Sequence, residues 1–179
     1  MKLYCYLAGP VEFSDKNEDW RENITTELGK IGIKSLNPII KPDWLLPQGE
    51  KPPVLYGKEI SKQLFVNNSY NHEDFEAMKY IREYCMQLIN ISDFIICRIT
   101  KTPTSGTYEE LGIIKNQNKP VFIWAPEKWL PGWVYAMFSD PFYFVSTKEH
   151  LFQKLDFIIN NKDELRLEEK LKWLKLFLG

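Results

Sequence analysis

Two adjacent carboxylates, Glu109 and Glu110, follow the turn-forming stretch Thr104-Ser105-Gly106 and read as part of the first turn of a helix from Thr107 to about Asn118. The amino end of a helix keeps a glutamate ionised, and an ionised carboxylate is what a nucleophile requires. One of the pair could therefore attack an electrophilic carbon or stabilise positive charge developing on a sugar ring. Glycine at 106 would let a ligand approach the backbone. A simpler reading competes: Thr107 with Glu110 three residues later forms a capping box, each side chain satisfying the other's backbone N–H, and many helices begin this way with no function at all. Successive helical positions lie about 100° apart, so the two carboxylates do not face one sugar, and Glu109 is at most an accessory.

The elements that must position this helix can be read outward from it. Leu3 to Leu7 is a short apolar run stopped by Gly9-Pro10, as in a parallel strand buried on both faces. Asp19 to Lys30 carries Trp20, Ile24 and Leu28 at helical spacing before Gly32, and Ile33 to Leu36 reads as a second strand closed by Asn37-Pro38. From about 39 to 71 runs an insert rich in Pro, Gly and Asn, in which Trp44, Leu45, Leu46, Leu55 and Tyr56 favour a lid that packs on something. A strong helix, His72 to Asn90, leads to the strand Asp93 to Ile99. The Thr107 helix then leads to the strand Val121 to Trp124. After an aromatic loop with Trp129, Trp133 and Tyr135 come a short strand, Phe142 to Val145, and a helical extension over about 147–179 with helices from near Thr147 and Lys162.

Strands alternating with helices at this spacing imply an α/β domain over 1–179 with a doubly wound parallel sheet of about five strands and helices on both faces. In such sheets with strand order 2-1-3-4-5, ligands sit beyond the carboxyl ends of strands one and three. Two loops meet there: Ala8-Gly9-Pro10, and the segment from Thr100 into the Thr107 helix.

The chain has 179 residues, 44% of them apolar, enough to bury one core, and its formal charge of -1 gives no pull towards nucleic acid polymers or anionic membranes. Three cysteines, Cys5, Cys85 and Cys97, form neither a disulfide framework nor a paired zinc site and fit a reducing cytoplasm. His72 and His150 stand alone, outside any metal-ligand spacing. The amino terminus reads as a strand rather than a signal peptide, and no apolar stretch is long enough to span a membrane.

Tyr6-Leu7-Ala8-Gly9-Pro10, Ser92-Asp93-Phe94-Ile95-Ile96, Gly106-Thr107-Tyr108-Glu109-Glu110-Leu111-Gly112 and Lys119-Pro120-Val121 together, in this order and spacing, resemble the nucleoside 2-deoxyribosyltransferase family. The resemblance covers roughly 3–125, and 131–155 is similar to a divergent branch of the superfamily. It implies a flavodoxin-like fold and a Glu110 that attacks C1′ of a deoxyribonucleoside, releases the base and leaves a glycosyl-enzyme for a second base or water to discharge. By the same resemblance Tyr6, Ala8, Gly9 and Pro10 line the sugar and base pocket, Thr104, Gly106 and Thr107 approach the ligand, and no metal or organic cofactor is needed. It also implies a homo-oligomer, in which Trp133 and Met137 are candidates to complete the pocket from a neighbouring subunit.

The pattern departs from the family in places. Thr104 stands where the transferases carry an aspartate that helps handle the base, so a proton donor is missing. In the related deoxynucleoside 5′-monophosphate N-glycosidases a serine at that position contacts phosphate, so the Thr104 hydroxyl leaves room for a nucleotide, although Pro10 replaces a further serine of those enzymes. Cys85 occupies the place of a sugar-contacting aspartate. It reads most simply as a small core residue, with Glu73 or Asp74 of the same helix as substitute carboxylates. Asp93 is an accessory candidate whose place at a strand start suits ordering the backbone better than acid–base work. Three alternatives stay open: a deoxynucleoside 5′-monophosphate N-glycosidase, a non-catalytic nucleotide-binding or sensing module, and glycosidic cleavage of a nicotinamide dinucleotide.

Overall fold

The structure, a computed structural model, describes residues 3–10, 20–40, 66, 72–101, 104–138 and 140–160. Among them, strands β1 (Tyr4–Ala8), β2 (Lys34–Leu36), β3 (Phe94–Arg98), β4 (Val121–Trp124) and β5 (Phe144–Val145) form one sheet in the order β2-β1-β3-β4-β5. Every pairing is parallel, with Cys5 opposite Phe94 and Ala8 opposite Cys97 at the centre. This is the doubly wound arrangement expected from the alternation of elements.

Side chains alternate across the central strands, and each face carries its own core. Cys5, Leu7, Phe94, Ile96 and Phe122 meet Trp20, Ile24 and Leu28 of α1 (Trp20–Lys30). The same core takes Leu151, Leu155 and Ile158 from the last described helix (Lys148–Asn160), called α5 below. On the opposite face Tyr6, Ala8, Ile95, Cys97 and Ile123 meet Leu88 and Ile89 of α2 (His72–Ile91) and Leu111 and Ile114 of α3 (Ser105–Asn116). Val134 of the short helix α4 (Gly132–Met137) joins this second core. No described helix is long and apolar enough to cross a membrane.

Several expected boundaries move, each for a local reason. The first strand shifts by one residue, to Tyr4–Ala8. Ile33 is not in β2, because its N–H closes the end of α1 on the Leu28 carbonyl at 3.0 Å, with Gly32 at φ 78° making the turn. β5 loses Phe142 and Tyr143 to a 3₁₀ turn, Pro141–Tyr143, which Asp140 nucleates by accepting the Phe142 N–H at 2.9 Å. Helix α4 replaces part of the expected aromatic loop, and its first bond runs from the Val134 N–H to the Pro131 carbonyl at 3.0 Å. Nearly all of the expected lid and the helix from Lys162 lie outside the described residues.

Candidate active site

Helix α3 starts at Ser105, two residues earlier than its sequence implied, with Thr104 as the residue before it. Glu109 and Glu110 therefore stand in the second turn, and the first turn carries no acidic side chain. The capping box does not form. Thr107 lies inside the helix, where its Oγ1 accepts a hydrogen bond from Thr104 Oγ1 at 2.6 Å. Released from that pairing, the Glu110 side chain turns into the sheet.

Only 9% of Glu110 is exposed, and the hydroxyl of Tyr6, on β1, donates to its Oε1 at 2.6 Å. Tyr6 is fully buried, and burial, reinforced by the Glu110 charge and by Cys85, pushes its phenol well above the ordinary value of 10.0. The phenol thus keeps its proton and stays a donor to the carboxylate. Cys85, half-buried on α2, interacts with the Tyr6 hydroxyl, so the expectation of a simple core residue is corrected. Cys97 on β3 faces the same space. Burial first and the Glu110 charge second push its thiol well up, which keeps it neutral and unreactive.

Glu109 turns the other way. It is exposed and forms a bidentate pair with Arg82 of α2, Nε lying 2.9 Å from Oε1 and 3.0 Å from Oε2. The two neighbouring acids are separated by the rotation of the helix, as their spacing required.

Beyond the carboxyl ends of β1 and β3 opens a small cleft lined by Pro10, Arg98, Ile99, Thr100, Thr104, Thr107 and Tyr108. Thr107 lies one turn before Glu110 on the same face of α3. In front of Gly106 there is open space. Gly9 does something other than admit a ligand: at φ 148° a Cβ there would meet the Arg98 carbonyl at 2.9 Å and the Trp20 ring at 3.0 Å, so packing alone explains the glycine. Ala8 is wholly buried in the core beside Cys97.

Three further expected residues sit apart from Glu110. Asp93 lies at the opposite, amino-terminal end of β3, where its Oδ2 accepts the Tyr4 N–H at 2.7 Å. That corrects its candidacy as an accessory and leaves it the backbone role its position suited. Trp133 projects from α4 with 81% of its surface exposed, while Met137 packs partly buried against the core that holds Tyr6. His72 and His150 are exposed near helix starts, and among the described residues no group of three His, Cys, Asp or Glu could hold a metal ion.

Two arginines that the sequence did not single out shape this end of the sheet. Arg21, 2% exposed on α1, donates to three carbonyls of the loop after β1: Nε to Leu7 at 3.2 Å, Nη1 to Pro10 at 3.3 Å and Nη2 to Gly9 at 2.7 Å. Arg98 ends β3 between two indoles, its guanidinium carbon 5.9 Å from the Trp20 ring and 5.3 Å from the Trp124 ring. Its buried Nε has no hydrogen-bond partner among the described residues, and neither do the indole nitrogens of Trp20 and Trp124. An arginine at the end of the otherwise apolar run Phe94 to Ile99 was a usable sequence signal, since buried strands rarely admit a charge without cause. Nothing distinguished Arg21 from a solvated helix residue.

A family model described as nucleoside 2-deoxyribosyltransferase matches residues 5–143. Among solved structures, the chain is similar to a 2-deoxyribosyltransferase from the psychrotolerant bacterium Bacillus psychrosaccharolyticus. The TM-score is 0.51 and the identity 18%, over 73% of this chain and 78% of that one, a likeness of fold. No curated protein matches the sequence.

Proposed function

The chain belongs to the nucleoside 2-deoxyribosyltransferase family, and from that premise we propose that it cleaves the N-glycosidic bond of a (deoxy)nucleoside through Glu110 and passes the sugar to another base or to water. The observation that carries this reading is the inward Glu110 carboxylate, shielded from water and fastened to Tyr6 at the carboxyl ends of β1 and β3. A carboxylate oxygen attacks C1′ as the bond from C1′ to the base nitrogen breaks. The bonding pair leaves with the base, which takes a proton from water. The nitrogen of a second base, or a water oxygen, then attacks C1′ and returns the carboxylate. Splitting one displacement into two lowers each barrier, and the positive charge that develops on the sugar is stabilised by the adjacent acid.

Tyr6 orients the carboxylate by donating its hydroxyl to Oε1. Thr107 and the open face of Gly106 form the approach to it. The chemistry calls on neither a metal nor an organic cofactor. Trp133 and Met137 on α4 are the surface offered to a second copy of the chain.

The test is to incubate the purified protein with a panel of deoxynucleosides, with and without an acceptor base, and to follow released and exchanged base by chromatography. Base release that depends on Glu110 supports the reading; full activity in Glu110→Ala overturns it. Thr104 and Cys85, standing where the resemblance places acids, favour one second reading, a protein that binds nucleotides without turnover. That reading expects thermal stabilisation by ligand and no base release from any substrate.

A further inference from the structure

We propose that the chain acts on N-glycosides whose base already carries a positive charge, such as an N7-alkylated purine deoxynucleoside, because the site holds a nucleophile for the sugar but, among the described residues, no acid for the leaving base. The proposal rests on the reading of Glu110 as the sugar-attacking group.

A neutral nucleoside is hard to split at this bond. When C1′ separates from the ring nitrogen the bonding pair goes to the base, which then leaves as an anion unless a proton reaches it, and the usual remedy is an acid poised near the working pH within hydrogen-bond reach. The titratable groups around Glu110 do not serve. Tyr6 commits its hydroxyl hydrogen to Oε1 at 2.6 Å, and burial first, then the Glu110 charge, hold that phenol well above 10.0. Cys85 of α2 is engaged with the same hydroxyl. Cys97, wholly buried on β3, is pushed well up by burial and then by the Glu110 charge. Tyr108, on the cleft wall, is raised by burial and then by Cys97. Tyr6, Cys97 and Tyr108 thus hold their protons more tightly than the free side chains do.

The other charged or basic groups are engaged elsewhere. The Arg98 guanidinium lies between Trp20 and Trp124, on the face of the sheet opposite Tyr6 and Glu110. Arg21 is spent on three loop carbonyls and Arg82 on Glu109, while Lys101 is exposed, 4.0 Å from Glu127. His72 begins α2, about 20 Å along that helix from Cys85, and His150 is exposed on α5, which packs on the other face of the sheet.

What the site does offer suits a flat cation. Glu110 supplies negative charge in a place shielded from water, where its attraction is screened little. Pro10 and Ile99 give the cleft apolar walls and Tyr108 an aromatic one, a side chain that favours a cationic ring. Departure of such a base needs no proton. A Glu110 oxygen bonds to C1′, the bond from C1′ to N9 breaks, and its electron pair enters the charged imidazolium ring, which leaves as a neutral base. Water then attacks C1′, the ester pair returns to Glu110, and the surplus proton passes to solvent.

The experiment compares deoxyguanosine with 7-methyldeoxyguanosine, which differ by one methyl group and one charge, as substrates of the full chain, with spontaneous release at each pH subtracted. At about pH 6.5, kcat/KM for the methylated substrate is expected to be higher by about 10²–10⁴-fold, the contribution an acid would have made. From about pH 5 to pH 6.5 that ratio is expected to grow roughly tenfold per pH unit, since only deoxyguanosine must first take a proton from solution; ionisation of Glu110 acts on both substrates and cancels. Thr104→Asp places a carboxyl group on the cleft wall, at a helix-leading position that favours aspartate, and is expected to narrow the ratio at least about tenfold. Comparable kcat/KM values for the two substrates, a ratio that does not change with pH, or an active Thr104→Asp with the ratio unaltered overturns the proposal and leaves the role of Glu110 standing. Release from neither substrate, or release that survives Glu110→Ala, overturns both.

Discussion

At the amino-terminal edge of the sheet the Asp93 carboxylate accepts the Tyr4 N–H at 2.7 Å, and the Lys119 ammonium donates to the carbonyls of Ile89, Asn90 and Ser92 at 2.7, 2.8 and 2.5 Å. These groups are consumed in closing the end of α2 and in starting β3. At the carboxyl-terminal edge the Glu110 carboxylate is buried against the Tyr6 phenol, while Arg98, Trp20 and Trp124 bury donors that bond to nothing described. Buried polar groups are ordinarily satisfied, so the pairs at the amino edge are explained by folding alone, whereas at the carboxyl edge several buried donors lack a partner among the described residues. Both edges belong to one sheet built from the same kinds of residues. What differs is that the crossover connections diverge at the carboxyl edge, on either side of β1 and β3, and leave room there.

The contrast can be broken at four places. Glu110→Gln keeps the shape of the buried side chain but removes the nucleophile, and base release is expected to fall at least about 10³-fold, while Glu109→Gln stays within about twofold. Comparable losses in the two variants would mean that the helix face has been misjudged. Gly9→Ala forces a Cβ against the Arg98 carbonyl from a backbone conformation that side chains avoid. The expected cost is about 2–4 kcal/mol in urea unfolding, and an unchanged midpoint would show that the loop yields. Lys119→Met strips three carbonyls of their donor and should lower stability by about 1 kcal/mol with KM unaltered; a change in KM would make the amino edge functional after all.

Tyr6→Phe sharpens the comparison least in size and most in kind. Loss of the hydrogen bond to Glu110 is expected to reduce kcat about tenfold. Because the folded phenol sits well above its ordinary 10.0, its contribution to stability is complete below that pH and is lost as the pH rises through the folded value. Alkaline unfolding followed by circular dichroism should therefore begin later in Tyr6→Phe, relative to its own neutral-pH stability, than in the wild type. Identical alkaline limbs would show that the phenol is not buried in solution.

Much of the architecture could be read from residue patterns because strands buried on both faces are written as apolar runs, as β1, β3 and β4 are, and these alternate with amphipathic segments. The location of the site followed from where such sheets reverse their winding. The start of α3 was misread because Thr104 and Thr107 are both good leading residues, and only the pairing of their hydroxyls in three dimensions decides between them. Helix α4 escaped notice since its six residues include Gly132 and three aromatic or β-branched side chains, poor material for an isolated helix that packing of Val134 stabilises. Arg21 was invisible for a different reason: its partners are carbonyls, which every sequence supplies and none advertises.

The backbone of α3 has one further effect. Because a helix rises about 1.5 Å per residue, the step from Thr107 to Glu110 is set at about 4.5 Å by hydrogen bonds that no bound molecule can stretch. Any molecule that touches both side chains has to match that fixed step.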